Sequence, residues 1–311
     1  MPYTMDQVAA QQFSSTLYQL AQQKESKFAS RVRRESVASA ELAYFDTVGP
    51  ETAPEQASTR HGDTPLDEGD FGRRKVTPFK WHKGRLLDQP DLDRMRHGDM
   101  SGVTLQGFAS SFGRKKDDLI IAAMYGAAAI SKTGASSVAS LEAETGQYGI
   151  IGTTAGVRTA LNTLPSVGTV VGLELAKILL MSQLFNEQDV DPDLAKHWAV
   201  TPTDIAYMLD IPEIGSADYN TVKTLVAGKV DTFMGFDFFW TNRLPKDAAT
   251  STGWRTFAFT TDAIILAYIR DLESKISERA DKCNSMQIYS AMDLGAVRME
   301  GAKIHECITK V

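Results

Sequence analysis

The spacing of apolar residues predicts helices in several parts of the chain. One apolar face runs through residues 101–130 and consists of Leu105, Phe108, Phe112, Leu119 and Ala123. A helix of that length measures about 45 Å at 1.5 Å per residue. A second amphipathic stretch covers residues 172–188. Shorter helices are predicted over 204–209, with Thr203 as the N-cap, and over 220–227, where Gly228 ends the pattern.

Aromatic and β-branched runs predict strands between these helices. The runs cover residues 43–48, 197–200, 257–269 and 294–308, and a strand pair interrupted by Gly235 is predicted over 230–240. Thr201-Pro202 is expected to end the strand at 197–200. Helices and strands are mixed without a βαβ repeat, so the predicted class is α+β.

The N-terminal apolar stripe is narrow and polar residues surround it. It consists of Val8, Phe13, Leu17 and Leu20, with four glutamines between them. A helix of this kind is marginal alone, so Phe13 and Leu17 are predicted to lie against another chain. Arg31, Arg33 and Arg34 follow, and two interpretations stay open. They form a solvated face, or they contact acidic groups of a neighbouring subunit or packaged nucleic acid.

A polar stretch from residue 49 to residue 72 separates two predicted strands. Structureless loops of this length are uncommon in compact domains unless they are functional or disordered. Val76, Phe79 and Trp81 predict the returning strand, which gives an extended hairpin with a long polar tip. An isolated hairpin is only marginally stable in water, so this one is expected to need a partner surface. Charge changes sign along it, from an acidic block of Asp63, Asp67, Glu68 and Asp70 to Arg73, Arg74 and Lys75.

Composition narrows the class of protein. The chain has 311 residues, enough for about two domains, with 43% hydrophobic residues and a net charge of −6. That charge argues against a wholly basic nucleic-acid binder but leaves a local basic patch open. No apolar run approaches the roughly 18 residues of a membrane span, and the N-terminus lacks a signal-peptide pattern. We therefore expect a soluble protein made in the cytosol, with no membrane partner and with Cys283 and Cys307 as free thiols.

Motifs that carry catalytic or ligand-binding chemistry are incomplete. Residues 126–133 approach a phosphate-binding loop, but Ser131 stands where glycine is required, so Lys132-Thr133 is predicted at a helix C-terminus. Residues 189–193 begin like a calcium loop but lack its later ligands, which predicts a helix-ending acidic turn.

The remaining candidates for catalysis are equally weak. The five histidines have no metal-binding spacing, and Asp117-Asp118 project in different directions from a helix. Lys115 and Lys116 beside these two carboxylates predict surface pairing on the helix. The sequence predicts no enzyme, no catalytic residue, no cofactor and no metal.

The order of features resembles a known family. The residues and motifs that carry the likeness are Ala43-Tyr44-Phe45-Asp46, the run from Ser58 to Pro65, Arg73-Arg74-Lys75-Val76, Thr201-Pro202 with Tyr207-Met208-Leu209, Asp218-Tyr219, Gly228-Lys229-Val230, Met234 to Asp237, Thr241 to Leu244-Pro245, and Leu294-Gly295-Ala296-Val297-Arg298. Their order resembles the major capsid proteins of tailed bacteriophages, which have the Hong Kong 97-like fold. The likeness covers residues 3–311 except for 146–169.

The resemblance implies a division of the chain by position in a shell. It implies an N-terminal arm over residues 1–43, an extended hairpin loop over 44–97 and a peripheral domain with a long spine helix over 98–145. An axial domain would cover 146–242, and residues 243–311 would return as strands of the peripheral and axial domains. Arm and hairpin would overlap neighbouring subunits.

The leading hypothesis is therefore a major capsid protein that self-assembles into an icosahedral head shell around double-stranded DNA. It would be made in the host cytoplasm, reside in the virion and contact itself in hexamers and pentamers. Portal, scaffolding and decoration proteins are further partners that the resemblance allows, and packaged DNA would be touched non-specifically. The residues predicted to make inter-subunit contacts are Phe13, Leu17, Arg60, Asp63, Asp67, Glu68, Asp70, Arg73, Arg74 and Lys75.

Two alternatives stay open at the level of sequence. The same fold resemblance also allows the shell protein of a cellular nanocompartment, which would carry a cargo-peptide site. A cytosolic enzyme with residues 49–72 as a lid is the rival from another class. Such an enzyme requires a catalytic cleft beneath the lid.

Overall fold

The structure is a computed structural model, and it describes residues 21–38, 41–49, 51–54, 56, 66, 68–88, 100–138, 141, 150–151, 172–210, 232–246 and 253–310. The predicted arm helix and the predicted helix over 220–227 lie outside the described residues. Most of residues 146–169 lie outside them as well.

Helices and strands are mixed in the described chain, as the α+β prediction requires. The described helices are α1 (Met100–Tyr125), α2 (Leu175–Glu187) and α3 (Pro202–Leu209). The described strands are β1 (Arg33–Ser36), β2 (Ala43–Val48), β3 (Phe71–Val76), β4 (Phe79–Leu87), β5 (Ala128–Ile130), β6 (Ser136–Val138), β7 (Ile150–Ile151), β8 (Lys196–Val200), β9 (Thr232–Phe233), β10 (Phe236–Trp240), β11 (Gly253–Thr260), β12 (Ile264–Arg279), β13 (Ser285–Arg298) and β14 (Ile304–Lys310).

The long helix is confirmed, but its predicted end at Ile130 is wrong. α1 ends at Tyr125, and a Cβ at Gly126 would lie 2.6 Å from the carbonyl oxygen of Ala122. Glycine therefore lets the chain leave the helix here, and β5 begins two residues later. Lys132-Thr133 lies in the turn between β5 and β6, not at a helix C-terminus as predicted, and Ser131 starts that turn with a φ of +82°.

The cap of α3 also differs from the prediction. The helix begins at Pro202, and Thr201 is its N-cap in place of Thr203. The Thr201 hydroxyl accepts from the Asp204 N–H, and the Asp204 carboxylate accepts from the Thr201 N–H in return, which is a capping box. Proline fits the first helical position because its missing N–H has no helical partner there.

The chain folds into two compact units, and each is discontinuous in sequence. The smaller unit takes its residues from Met1–Ser26, Lys80–Lys115 and Arg270–Asp293. The larger unit takes its residues from Lys27–Phe79, Lys116–Ile269 and Leu294–Val311.

The larger unit contains a six-stranded sheet in the order β7-β14-β11-β8-β10-β9. β8 runs parallel to β10 and antiparallel to β11, and β11 runs antiparallel to β14. Side chains of α2 and α3 join the core of this sheet, in which Trp198 lies 5.4 Å from the rings of both Phe236 and Phe238. The predicted strand pair over 230–240 is confirmed as β9 and β10. Both residues of their turn are left-handed, Met234 with a φ of +49° and Gly235 with a φ of +81°.

A second sheet in the larger unit has the order β2-β3-β5-β6. β2 and β3 pair antiparallel from Ala43 opposite Val76 to Val48 opposite Phe71, which confirms the predicted hairpin. The returning strand begins at Phe71, and Phe79 and Trp81 belong to the separate strand β4. A small core of Ala43, Val76, Ala128, Ile265, Ala267 and Val297 includes the base of the hairpin.

The remaining sheet has the order β1-β12-β13-β4, and its two central strands pass from one unit to the other. In the larger unit, β1 runs parallel to the first residues of β12. In the smaller unit, β4 lies beside the first half of β13. The apolar stretch over 257–269 divides into β11 and β12 because a 3₁₀ turn at Thr261–Ala263 separates them. None of the described helices is long and apolar enough to cross a membrane.

Candidate assembly surfaces

The outward face of the β2–β3 hairpin carries an unusual pair of apolar side chains. Side chains alternate between the faces of a strand, so Tyr44, Asp46 and Val48 share one face of β2. Val48 lies opposite Phe71 at the far end of the ladder. Their exposed fractions are 63% and 75%, which leaves an adjacent apolar pair in water at the end of a polar strand pair.

The middle of this face holds an ion pair within the chain. Arg73 lies opposite Asp46, and its Nε and Nη2 donate to the two carboxylate oxygens at 2.5 and 2.9 Å. The hydrogen bonds from Arg73 hold the pKa of Asp46 below its usual value. The guanidinium also lies 5.5 Å from the ring centre of Tyr44. The pair is exposed, so it contributes little to folding and instead fixes the shape of the face.

Arg74 and Lys75 belong to different surroundings. The Arg74 Nε donates to the carbonyl oxygen of Met299 at 3.0 Å. The side chain of Lys75 runs across Gly134, where the φ is +67° and a Cβ would lie 2.1 Å from the Lys75 Cδ. Both cations therefore contact other parts of their own chain, near the base of the hairpin.

Glu68 and Asp70 have exposed side chains just before β3. The backbone carbonyl of Asp70 accepts a hydrogen bond from the N–H of Gly49 at 2.7 Å, which extends the hairpin ladder by one step. Phe13, Leu17, Arg60, Asp63 and Asp67 lie outside the described residues. The prediction that the acidic block and Arg73, Arg74 and Lys75 contact neighbouring subunits stays a prediction.

A short segment after the N-terminal region is fixed to the larger unit by a buried carboxylate. Asp117 of α1 accepts hydrogen bonds from the backbone N–H groups of Lys27 and Phe28 at 3.1 to 3.2 Å. The predicted surface pairing of Asp117 with Lys115 and Lys116 is wrong, because the Asp117 side chain is fully buried. Asp118 points elsewhere, as predicted, and pairs with Arg243 at 2.5 Å.

Phe28 packs against aromatic residues of the larger unit beside this buried carboxylate. Its side chain is completely buried, 4.9 Å from the ring of Phe239 and 6.1 Å from the ring of Phe259. Lys27 adds a cation–π contact, with Nζ 3.2 Å from the ring centre of Trp240. Residues 27 and 28 are therefore held at a defined point of the larger unit.

The three arginines of the N-terminal region have separate partners. Arg31 Nε donates to Asp237 at 2.9 Å, and its guanidinium lies 4.3 Å from the ring centre of Phe239. Arg33 pairs with Glu35 at 2.7 Å, and Arg34 lies 5.6 Å from the ring centre of Tyr268. Arg31 is thus part of the anchor, which the two interpretations of this trio did not include.

Asp237 also contacts a histidine in an arrangement that resembles a nucleophilic triad. His197 Nδ1 lies 3.0 Å from Asp237 Oδ2, and its Nε2 lies 3.2 Å from the Thr261 hydroxyl. Burial lowers the pKa of His197; the hydrogen bond and the charge of Asp237 offset part of this shift, and the nearby Arg31 adds a smaller lowering. Arg31 shares the same carboxylate oxygen, so the support that a general base needs from its carboxylate is weakened. The contacts link β8, β10, the Thr261 turn and the N-terminal segment.

Several buried polar groups of the larger unit satisfy one another. Arg255 donates to the fully buried Glu306 at 2.5 and 2.7 Å. The Lys177 ammonium donates to the carbonyl oxygen of Ile308 at 3.1 Å, and Thr309 donates to Asp204 at 3.1 Å. Burial raises the pKa of Asp204. These contacts join α2 and α3 to strand β14 and stabilise the fold.

Metal and thiol chemistry have little support in the described part of the chain. Within it, no group of three His, Cys, Asp or Glu side chains is placed to hold a metal ion. Burial raises the pKa of Cys307 to about 11, which keeps that thiol protonated and unreactive. Cys283 is exposed and free.

Sequence reasoning missed the two apolar residues of the hairpin face. Val48 and Phe71 were assigned to a strand and to the edge of a polar stretch, not to a contact surface. Alternation along the strand could have predicted Val48, because it lies on the same face as Tyr44 and Asp46, which are polar or amphipathic. Only the register shows that Phe71 lies opposite Val48.

Comparison with known proteins gives a match along nearly the whole chain. The family model described as "Phage capsid protein" matches residues 5–308. A search of curated proteins finds no match.

Solved structures match over almost their entire length. The capsid of the cyanophage P-SCSP1u has a TM-score of 0.73 at 14% identity, with 99% of this chain and 95% of that chain covered. The capsid of Ralstonia phage GP4 has a TM-score of 0.68 at 14% identity, covering 97% and 95%. The capsid of a native GTA particle has a TM-score of 0.66 at 13% identity, covering 98% and 96%. At these identities the structures establish a common fold.

Proposed function

The chain belongs to the phage capsid protein family, and on that premise we propose how it builds a shell. It is a major capsid protein of the virion, and copies of it form the phage head. The shell is icosahedral, closes through hexamers and pentamers of this chain, and encloses double-stranded DNA. The chain acts through its interfaces and performs no catalysis.

The observation that carries this proposal is the exposed apolar pair of the hairpin. Val48 and Phe71 lie opposite each other with most of their surface in water. Burial of apolar surface contributes about 25 cal/mol per Å², so covering two such side chains favours association. The occupant is a neighbouring copy of the same chain, because a shell places identical subunits beside one another at every position.

The charged residues around the pair give the contact its register. Glu68 and Asp70 precede β3, and Arg73 follows on the strand itself. The acidic block of one hairpin, Asp63, Asp67, Glu68 and Asp70, meets cations of a neighbouring subunit, among them Arg73, Arg74 and Lys75, and Arg60 is a further contact residue. Each exposed ion pair contributes only about 0.2 to 1 kcal/mol, but a closed shell repeats it at every equivalent interface.

The N-terminal arm is the second contact between subunits. Asp117 and Phe28 hold residues 27–28 against the larger unit. Phe13 and Leu17 form the narrow apolar stripe of that arm, and a neighbouring subunit buries them.

We assign each part of the chain to a position in the shell, in addition to the two compact units. The arm covers residues 1–43, the hairpin loop 44–97, the peripheral domain 98–145, the axial domain 146–242 and the returning strands 243–311. Portal, scaffolding and decoration proteins are further partners of the assembled shell.

The test compares assembly with folding in one double variant. Val48→Ser with Phe71→Ser removes the apolar pair and leaves the Arg73–Asp46 ion pair in place. Circular dichroism and thermal unfolding of the unassembled subunit should match the wild type, because both side chains are already exposed. Electron microscopy and sedimentation should show a loss of closed shells of at least tenfold.

The control is a serine substitution of another exposed apolar residue, Leu179→Ser on α2. Its exposed fraction is 48%. Shells in normal yield from the double variant, or an equal loss from the control, would contradict the role proposed for the hairpin.

A further inference from the structure

The smaller unit carries a row of cations that pair with no carboxylate among the residues that the structure describes. β4 and the first half of α1, residues 100–115, contribute several cations, and the sequence has no acidic residue from Lys80 to Leu87 or from Met100 to Lys115. Three of these cations, Lys83, Arg85 and Lys115, line up between the strand and the helix. We name these three residues the cation row.

The contacts of the cation row orient each charged side chain but do not neutralise its charge. Lys83 Nζ donates to the Ser111 hydroxyl at 3.3 Å and lies 5.3 Å from the ring centre of Phe108. Arg85 Nη1 donates to the Thr104 hydroxyl at 3.4 Å. Hydroxyl groups are neutral, so the positive potential of the side chains remains.

Aromatic rings complete these contacts. The Arg85 guanidinium lies 6.0 Å from the ring centre of Phe108, and Lys115 Nζ lies 3.9 Å from the ring centre of Trp81. Cation–π contacts orient a cation but leave its net charge intact. Among the described residues, none of the three cations pairs with a carboxylate. The nearest acidic residue of the strand end, Asp88, accepts from the Ser285 hydroxyl at 2.5 Å.

Cations on the other strands of the smaller unit are paired. Arg270 contacts Glu273 at 3.2 Å and Asp293 at 3.4 Å. Lys275 contacts Glu273 at 3.0 Å, and Arg279 pairs with Asp281. Within the described residues, the absence of such pairs is therefore particular to β4 and to residues 100–115 of α1, and does not extend to the unit as a whole.

The spacing of the row follows from the two elements that build it. Lys83 and Arg85 are two residues apart on one face of β4, which separates them by about 7 Å along the strand. On α1, Thr104, Phe108, Ser111 and Lys115 recur every three or four residues and form one stripe. A linear array of about 7 Å spacing matches two steps of a nucleic-acid strand, at about 3.4 Å per step.

We propose that the cation row binds the phosphate backbone of the double-stranded nucleic acid that the shell encloses. This inference rests on the proposed function, which supplies a polyanion as the content of the shell. Charge and spacing select phosphates and not bases, so binding is independent of sequence. The overall charge of −6 confines binding to this local surface.

The test measures binding of a random-sequence DNA duplex to the unassembled subunit by fluorescence anisotropy at several salt concentrations. Three phosphate contacts give a slope of about −2.7 for the logarithm of affinity against the logarithm of salt concentration. Affinity should therefore fall about 40-fold between roughly 50 and 200 mM salt. The triple variant Lys83→Gln, Arg85→Gln, Lys115→Gln should lose this dependence, and each single variant should reduce the slope by about 0.9.

Two controls separate a specific face from a general effect of charge. Arg270→Gln, Lys275→Gln, Arg279→Gln makes the same change in charge on the same unit, and Lys80→Gln makes a single change on the opposite face of β4. Both should leave the slope within about 0.3 of the wild type. Circular dichroism verifies that each variant is folded, and the single variants preserve the test if the triple variant unfolds.

Three outcomes would overturn the inference. They are an unchanged slope in the single and triple cation-row variants, an equal loss in the controls, and tighter binding of polyglutamate than of a duplex of equal charge. The last outcome would assign the row to an acidic polypeptide. Shell formation is scored separately by electron microscopy, so a failure of assembly in the wild type would reject the proposed function without altering the binding result.

Discussion

Phe28 illustrates how one residue connects the N-terminal region to the folded subunit. It has no exposed surface, and it lies against Phe239 and Phe259, which belong to different strands of the same sheet. Its backbone N–H and that of Lys27 are held by Asp117. Phe28 and Asp117 therefore hold residues 27 and 28 in place against the larger unit.

Replacing Phe28 by alanine should destabilise the subunit by about 3 to 5 kcal/mol, because the lost contacts leave a cavity. Chemical denaturation of the unassembled protein measures this change. Phe79→Ala is the matched control, since Phe79 is 59% exposed, and it should cost well under 1 kcal/mol. Equal effects of the two substitutions would show that the aromatic cluster does not anchor the segment.

His305 makes the subunit sensitive to acid. Burial lowers the pKa of its imidazole from 6.5 to about 4, and the ring lies 4.5 Å from that of Phe185. Well above pH 6.5 the side chain is neutral in both the folded and the unfolded chain, so it adds no pH dependence there. As the pH falls from 6.5 toward 4, His305 binds a proton in the unfolded chain but not in the folded chain, and the free energy of unfolding decreases.

Replacing His305 by leucine should therefore reduce the acid sensitivity. Between roughly pH 7 and 4.5 the wild type should lose about 2 to 3 kcal/mol more of its unfolding free energy than the variant. Urea denaturation at the two pH values measures the difference. His82→Gln removes an exposed histidine of β4 and should leave the wild-type difference intact; if His305→Leu does the same, the prediction fails.

At the scale of elements, α3 depends on the N-cap Thr201, because Pro202 is the first helical residue. Thr201 and Asp204 satisfy each other's backbone N–H groups, and Pro202 occupies the first helical position. Asp204 also accepts from Thr309 of β14, so the capping box connects the helix to the sheet. The start of a short helix thus becomes part of the core of the larger unit.

Thr201→Ala should cost about 1 to 2 kcal/mol, because one helix N–H and the Asp204 carboxylate each lose a partner. Thr203→Ala is the matched control two residues later. Thr203 is exposed and its hydroxyl lies 2.8 Å from that of Thr201, so this substitution should cost only about 0.5 kcal/mol. Thermal unfolding of both variants decides between the two threonines. A larger effect at Thr203 would return the cap to the position that the sequence pattern favoured.

At the scale of the whole molecule, the hairpin loop is expected to serve the shell and not the subunit. Residues 55–71 are mostly polar or small, so they contribute little apolar surface to either compact unit. The ladder of β2 and β3 continues without most of them. Assembly, in contrast, requires every subunit to reach its neighbours.

Deleting Glu55 to Phe71 should leave a folded subunit but abolish closed shells. Circular dichroism should stay close to the wild type, and electron microscopy should show no complete particles. A Gly/Ser linker of equal length in place of Glu55 to Phe71 is the control for chain length, and it should also fail to assemble. Normal particles from either variant would contradict an assembly role for the loop.

The local pattern of apolar and polar residues was sufficient to predict most helices and strands that have a clear period. The apolar stripe of α1, the strand at Ala43–Val48 and the interruption at Gly235 are all properties of neighbouring residues. Errors occurred where two local signals compete. Gly126 ends α1 although apolar residues continue to Ile130, and Pro202 moves the cap from Thr203 to Thr201.

The sequence by itself determined the α+β class, the hairpin with its change of charge, and the order of motifs that resembles phage capsid proteins. These features are carried by composition, by period and by order along the chain. Only the tertiary structure decided that Asp117 is buried against Lys27 and Phe28, ninety residues away along the chain. It also placed Phe71 opposite Val48 and set Lys115 over Trp81. Such pairs depend on register and packing between distant segments, which no local pattern encodes.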